Sequence, residues 1–159
     1  MNRRINYMEH SPALLKKLVD LGMATKEGPL SAAMLDLVNI RASQLNGCAF
    51  CLDMHSKEAK IHGERELRLY HIPVWRESPL FSAKEKACLE WTETVTLLDG
   101  HGIPDEAFER VREHLSEQEM SQLTFAIGVI NVFNRLNVSS PATPGSLDEQ
   151  FGLTRTGLK

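Results

Sequence analysis

Long apolar runs are missing from the sequence, and their absence argues against a membrane protein. No segment approaches the roughly 18 uninterrupted apolar residues that a transmembrane helix requires. The first residues are basic, but they are not followed by the apolar stretch of a secretory signal peptide. We therefore expect a cytoplasmic protein with no membrane partner.

Positive charge and cysteine are also scarce. The chain has 18 Lys and Arg residues against 21 Asp and Glu residues, a net charge of −3, which excludes the basic surface typical of nucleic-acid binding. Three cysteines in 159 residues are too few for a disulfide-stabilised scaffold. In a reducing compartment, a close pair of cysteines is more often catalytic or metal-binding than structural.

The period-two alternation that marks β-strands is nowhere convincing, whereas helix signals are frequent. Ser31, Ser82 and Ser116 each precede apolar residues at helical spacing, as N-caps do. The last two begin the capping-box patterns SAKE and SEQE, and Asn46-Gly47 is a typical helix end. The pattern predicts an all-α fold of six or seven helices.

The chain length and the unbroken succession of helix signals indicate one domain. We predict a single helical domain over residues 1–140. From residue 141 the sequence becomes rich in Pro, Gly, Ser and Thr, which predicts an extended or mobile tail over residues 141–159. Within that tail, Leu147, Phe151 and Leu153 could dock on the body of the protein or on a neighbouring subunit.

One stretch, DLVNIRASQLNGCAFCLDMH, places four chemically active side chains at regular spacing. Two residues separate Cys48 from Cys51, His55 lies four residues beyond Cys51, and Asp36 lies twelve before Cys48. If a helix begins at Cys48, its dipole favours thiolate over thiol, and Cys51 and His55 share a face. Imidazole can then take the proton of Cys51, and Asp36 can hold the imidazole if the two helices form a hairpin. Thiol redox chemistry is the leading interpretation.

Other interpretations of the same residues remain open. Zinc prefers four ligands, and the motif offers four candidates: Cys48, Cys51, His55 and Asp36. Zinc ribbons, however, usually contain two such cysteine pairs. The two cysteines could also be small buried apolar residues. A non-catalytic redox sensor, in which the disulfide changes conformation or oligomeric state, is a further alternative.

Polar residues and a third cysteine lie outside this motif. Cys88, beside Leu89 on a helix, is expected to be an inert core thiol, and His62 to compensate a helix end or face solvent. The most apolar helix contains Asn131, Asn134 and Arg135. We expect these three to hydrogen-bond helix ends or to cross a subunit interface, with lining of the thiol pocket as the alternative.

Two segments together resemble a known family. RASQLNGCAFCLDMHSKEAKIHG, with Asp36 upstream, and INVFNRLNVSSP resemble the alkyl hydroperoxidase D-like branch of the carboxymuconolactone decarboxylase family, whose pattern is Glu-x11-Cys-x2-Cys-x3-His. The resemblance covers residues 31–141. It implies an all-α fold assembled as a homo-oligomer, a trimer or hexamer, and a thiol peroxidase activity that needs no cofactor and no metal ion.

The resemblance also implies a role for each residue of the motif. Cys51 corresponds to the thiol that attacks the peroxide, Cys48 to the resolving thiol and His55 to the relay histidine. Asp36 occupies the place of the relay glutamate, and its side chain is one methylene shorter. The implied reaction reduces a hydroperoxide, after which an external dithiol, a lipoyl group or a thioredoxin-like protein, reduces the disulfide. The lactone decarboxylase chemistry of the wider family needs no adjacent thiols and is the other enzymatic alternative.

Overall fold

Helices and their connections make up the whole of residues 4–158, the part of the chain that the computed structural model describes. The α-helices are α1 (Tyr7–His10), α2 (Pro12–Ala24), α3 (Ala32–Leu45), α4 (Ala49–Ile61), α5 (Glu66–His71), α6 (Ala83–Thr96), α7 (Asp105–Arg112), α8 (Glu117–Ser139) and α9 (Asp148–Phe151). Two 3₁₀ turns, Ile72–Val74 and Leu153–Thr156, complete them. The all-α prediction is confirmed. The helices α1 and α9, one turn each, exceed the predicted number because four residues are too few to show helical periodicity. Within residues 4–158, no helix has the length and apolarity needed to cross a bilayer.

The predicted helix starts are confirmed at three serines. The Ser31 hydroxyl accepts a hydrogen bond from the third residue of α3. Ser82 and Ser116 form reciprocal capping boxes with Glu85 and Glu119. Each cap satisfies backbone N–H groups that the first helical turn leaves without partners.

The helix α3 lies at the centre of the fold and packs against α4, α6 and α8. Leu37, Val38 and Ile40 are at most 1% exposed, because neighbours surround this helix on several sides. Gly47 reverses the chain between α3 and α4 with a φ of +65°, a left-handed conformation that glycine adopts without steric cost. The resulting hairpin of α3 and α4 brings residues that are distant in sequence to one site.

A close contact fixes the segment between α2 and α3 on α8. The Gln122 side chain accepts a hydrogen bond from Leu30 N at 2.8 Å and donates one to Thr25 O at 2.6 Å. Gly28 lies directly over this amide, where an added Cβ would come within 2.3 Å of the Gln122 side chain. The two hydrogen bonds prevent that side chain from moving aside, so the position requires glycine.

Residues 141–158, here called the C-terminal segment, differ from the extended or mobile tail predicted from the sequence. The segment forms α9 and a 3₁₀ turn that packs on α4. Leu153 is only 3% exposed, and Leu147 packs against the buried cluster around the cysteines. Both residues therefore dock on the body of the protein, which was the predicted alternative to a mobile tail. Phe151, by contrast, is 53% exposed.

A buried lysine explains why this segment is ordered. Lys57 of α4, whose side chain is 5% exposed, places Nζ 2.7 Å from Asp148 Oδ2 and 2.9 Å from Asp53 Oδ2. Asp53 also accepts a hydrogen bond from Gly145 N at 3.0 Å. Burial alone would lower the pKa of Lys57, but the hydrogen bonds to the two carboxylates outweigh it and raise the pKa. The Lys57–Asp148 and Asp53–Gly145 contacts join residues 91 and 92 positions apart, which local sequence patterns do not reveal.

Candidate active site

The two cysteines of the motif lie at the start of α4, as predicted. Cys48 is the N-cap residue, and its sulfur accepts a hydrogen bond from Cys51 N at 3.3 Å. The two sulfurs are at disulfide distance, with 5.4 Å between the Cα atoms. Cys48 is 2% exposed and Cys51 1% exposed, so the pair lies beneath the protein surface.

The surroundings of the disulfide are mainly apolar. Four elements contribute to them: α3, α4, α8 and the C-terminal segment. The buried members are Ala42, Phe50, Ile130 and Ala142, and the partly buried ones are Met54, Phe133 and Leu147. An ionised thiol in such surroundings loses the stabilisation that water would provide and depends on nearby hydrogen-bond donors.

Asn137, in the last turns of α8, reaches the sulfur of Cys51. Its Nδ2 atom lies 3.8 Å from Cys51 Sγ, within the range of a hydrogen bond to sulfur, and 3.0 Å from Phe133 O. Asn137 was not among the residues predicted for the site. In the sequence, the indication of a role for Asn137 is that it is a further amide side chain on the most apolar helix.

The predicted relay histidine has a carboxylate partner on its own helix. His55 is 9% exposed and lies one turn beyond Cys51. Its Nδ1 atom is 2.6 Å from Glu58 Oε2. Burial alone would raise the pKa of Glu58, but the hydrogen bond and the charge interaction with His55 outweigh it and lower the pKa. Glu58 is therefore an ionised partner that fixes the orientation of the imidazole. It was missed in the sequence, although a spacing of three residues on a helix could have identified it.

Asp36 lies at the same hairpin but contacts a different histidine from the one predicted. Its Oδ2 atom is 2.6 Å from His62 Nδ1, whereas Glu58 occupies the position beside His55. The antiparallel packing of α3 on α4 places Asp36 level with the C-terminal end of α4, where His62 is the cap residue. Burial raises the pKa of Asp36, and the interaction with His62 only partly opposes it. The expectation that His62 faces solvent or compensates a helix end omitted this contact.

The amides of α8 fix the turn that precedes Cys48. Asn46 Nδ2 donates to Asn131 Oδ1 at 2.8 Å and to Asn134 Oδ1 at 2.9 Å. Asn134 in turn donates to Ser43 Oγ at 3.1 Å, and Arg135 donates to Asn131 Oδ1 at 2.9 Å. Arg135 thus bonds within its own helix, whereas Asn131 and Asn134 hydrogen-bond the end of α3, in agreement with the helix-end prediction. They hold the hairpin turn in place without contacting the sulfurs.

The remaining cysteine belongs to the core. Cys88 is 1% exposed, packs with Trp91 and Leu123, and has no part in the disulfide. Burial raises its pKa to about 12, so the thiol stays protonated at neutral pH. Within the described part of the chain, no three His, Cys, Asp or Glu side chains are grouped so that they could hold a metal ion, and the zinc alternative gains no support.

A groove on another face of the molecule has a volume of about 630 Å³. It lies between α2 and α8, with walls that include Leu21, Trp91, Phe125 and Val132. Neither motif cysteine is among the residues that line it. The groove is therefore separate from the thiol site.

The fold and the cysteine motif together agree with a known family. The model of the carboxymuconolactone decarboxylase family matches residues 12–94, just over half of the chain. The chain therefore belongs to the carboxymuconolactone decarboxylase family, and its fold is that of AhpD-like members.

The chain is also similar to individual proteins of known sequence or structure. The chain is 40% identical over 139 residues to YdfG of Bacillus subtilis (strain 168), an uncharacterised protein, and this alignment covers 87% of the chain and 95% of YdfG. The structure of ATU0492 from Agrobacterium tumefaciens, a protein of unknown function proposed to be the antioxidant defence protein AhpD, is 40% identical with a TM-score of 0.85. That match covers 90% of the chain and 98% of ATU0492. The debrominase Bmp8, 15% identical over 94% of the chain and 80% of Bmp8, has a TM-score of 0.78 and shows the fold alone.

Proposed function

We propose that the protein is a thiol-dependent hydroperoxide reductase that uses Cys51 and Cys48 as its redox pair. The observation that carries the proposal is the arrangement along α4, where the cysteine pair begins the helix and the His55–Glu58 pair follows one turn later. Membership of the family and the likeness to an AhpD-type antioxidant protein support the same reaction class.

The first step creates the nucleophile. Glu58 occupies Nδ1 of His55, which leaves Nε2 to accept the proton of Cys51. The Cys51 thiolate attacks one oxygen of the hydroperoxide, the O–O bond breaks, and the departing alkoxide takes the proton held by His55. The products are an alcohol, or water when the substrate is hydrogen peroxide, and a sulfenic acid on Cys51.

The second step regenerates the resting enzyme. The Cys48 thiol attacks the sulfenic sulfur, which releases water and forms the Cys48–Cys51 disulfide, and an external dithiol then reduces that disulfide. A lipoyl group or a thioredoxin-like protein would serve as the dithiol. In the full cycle one hydroperoxide and one dithiol become one alcohol, one water and one disulfide.

The relay role predicted for Asp36 is assigned here to Glu58. Asp36 keeps a supporting role, because its bond to His62 ties α3 to the end of α4 and so fixes the helix that carries His55. The Asp36 side chain is only 8% exposed, as expected for a residue that supports the packing of the two helices.

The test is consumption of cumene hydroperoxide with dihydrolipoamide as the reductant. Cys51→Ser should abolish turnover, and Cys48→Ser should stop after one equivalent of peroxide. Cys88→Ser is the matched control, because it removes a thiol outside the pair and should leave turnover unchanged. Retention of full turnover by Cys51→Ser would refute the assignment.

A redox sensor is the second candidate, favoured by the packing of Ala142 and Leu147 around the disulfide. Breaking the disulfide would then alter how the C-terminal segment is held. A change in oligomeric state between oxidised and reduced protein, without peroxide turnover, would favour the sensor over the reductase.

Homo-oligomer formation is proposed from the family resemblance, with the groove between α2 and α8 as the contact face. Phe125 and Val132 are 59% and 44% exposed there, and a Cβ added to Gly128 would meet no atom within 4 Å. Sedimentation of Phe125→Glu should show smaller particles than the parent protein. Val74→Glu, an equally exposed apolar position on a 3₁₀ turn, is the control.

A further inference from the structure

The two sulfurs of the redox pair receive hydrogen bonds from different donors. The backbone N–H at the start of α4 donates to Cys48 Sγ, whereas the side-chain amide of Asn137 donates to Cys51 Sγ. We propose that Asn137 is a catalytic residue that stabilises the Cys51 thiolate. This inference rests on the proposed function, in which Cys51 is the attacking thiol.

The helix start by itself does not explain why Cys51 would be the thiol that ionises. A helix N-terminus stabilises a thiolate through its unpaired N–H groups, and here the N–H of Cys51 points to the sulfur of Cys48. Cys51 is 1% exposed, among apolar neighbours, so water contributes little to stabilising a charge on its sulfur. A hydrogen-bond donor at Cys51 Sγ would therefore add to the stabilisation that protonated His55 provides, and Asn137 is such a donor.

The geometry of Asn137 suits this task. An amide NH₂ group has two hydrogens, and one of them is committed to Phe133 O one turn earlier in α8, at 3.0 Å. This bond fixes the direction of the second hydrogen, which is directed at Cys51 Sγ at 3.8 Å. When the disulfide is reduced, the acceptor becomes a charged sulfur, and hydrogen bonds to charged acceptors are shorter and about twice as strong as neutral ones.

Asn137 also differs from the amides that hold the hairpin. Asn131 and Asn134 bond to Asn46, so they act on the turn before Cys48. The side-chain amide nitrogen of Asn137 bonds to its own helix and to Cys51. Its replacement should therefore change the chemistry of the thiol more than the packing of the fold.

The experiment isolates Cys51 as the only reactive thiol. In a Cys48→Ser, Cys88→Ser background, the rate of alkylation by iodoacetamide is measured against pH, with Asn137 intact and with Asn137→Leu. Loss of one charge-assisted hydrogen bond should move the midpoint of the profile upward by about one pH unit. The rate of a single reaction with cumene hydroperoxide at pH 7 should fall about tenfold, and the two proteins should converge at high pH.

Two further variants keep the test decisive. Asn137→Asp has the same shape but no hydrogen to donate to Phe133 O or Cys51, so its folding is checked by circular dichroism. Its negative charge should raise the midpoint at least as far as leucine does. Asn137→Gln keeps a donor and should restore part of the shift. Unchanged midpoints in folded Asn137→Leu and Asn137→Asp would overturn the inference.

The outcomes also separate this inference from the proposed function. The alkylation profile needs no peroxide, so a shifted midpoint in a protein without peroxide turnover would uphold Asn137 and reject the reductase. Normal turnover with an unshifted midpoint would uphold the reductase and reject the role of Asn137.

Discussion

Replacing Asp148 with alanine should release the C-terminal segment from α4 and make the disulfide more accessible to external reductants. Lys57 Nζ has two carboxylate partners, Asp148 at 2.7 Å and Asp53 at 2.9 Å, and the Lys57 side chain is 5% exposed. Removing every partner of a buried charge costs about 3–5 kcal/mol. Asp53 remains in this variant, so the loss is closer to that of one charged hydrogen bond, about 1.5–3 kcal/mol.

This energy sets the size of the expected effect. At about 1.4 kcal/mol per factor of ten, the population of molecules with the segment released should rise roughly tenfold to a hundredfold. The raised pKa of Lys57 means that its contribution is fully present below the usual lysine pKa of 10.5 and is lost as pH rises through the folded value. The effect should therefore be complete at neutral pH.

Two measurements under native conditions test this prediction. Amide hydrogen exchange should accelerate over residues 148–158, and dithiothreitol should reduce the Cys48–Cys51 disulfide faster. Glu149→Ala is the matched control, because Glu149 is the adjacent residue, carries the same charge and is exposed. Equal acceleration in both variants, or none in Asp148→Ala, would refute the argument that the ion pair holds the segment.

Three further predictions test the site and the fold. Glu58→Gln should reduce peroxide turnover by roughly tenfold to a hundredfold in the dihydrolipoamide assay, because a positioned base accelerates a reaction about 10²–10⁴-fold and a mispositioned one accelerates it less. Asp36→Asn should reduce turnover less than Glu58→Gln does. The reverse order would favour Asp36 as the relay residue. Hydrogen bonds from Trp75, Arg76 and Arg41 outweigh burial and lower the pKa of Glu93. The contribution of Glu93 to stability is therefore present above its usual pKa of 4.5 and is lost as pH falls through its pKa in the folded protein. Glu93→Gln should therefore flatten the dependence of urea unfolding on pH between about 5 and 3, and an unchanged slope would contradict this. Gly28→Ala should destabilise the protein by about 1–3 kcal/mol in the same assay, because its Cβ would press on the fixed Gln122 amide; Gly63→Ala, where a Cβ meets open space, serves as a comparison of backbone strain alone.

Features set by neighbouring residues could be predicted from the sequence. The capping boxes at Ser82 and Ser116 depend on residues three positions apart, and the N-cap position of Cys48 depends on the Asn46-Gly47 break just before it. Local hydrogen bonding decides each of these, so the order of helices and the cysteine pair at a helix start were both accessible.

Contacts across the fold were not accessible in the same way. Whether Asp36 meets His55 or His62 depends on how far α3 is displaced along α4, and a shift of one helical turn changes the partner. The contact between Asn137 and Cys51 joins residues 86 positions apart, and it requires the path of α8 past the start of α4. Helical periodicity indicates which face of a helix is apolar, but it does not determine where two helices cross.

The position of Cys88 has a practical consequence for measuring this protein. In the oxidised state, Cys48 and Cys51 are joined, and the third thiol is enclosed in the core with a pKa of about 12. A thiol reagent added to oxidised protein can therefore label Cys88 only when the core opens. The labelling rate of the purified, oxidised protein then reports opening of the core without any added dye or engineered cysteine, and a fully native sample should give almost no signal.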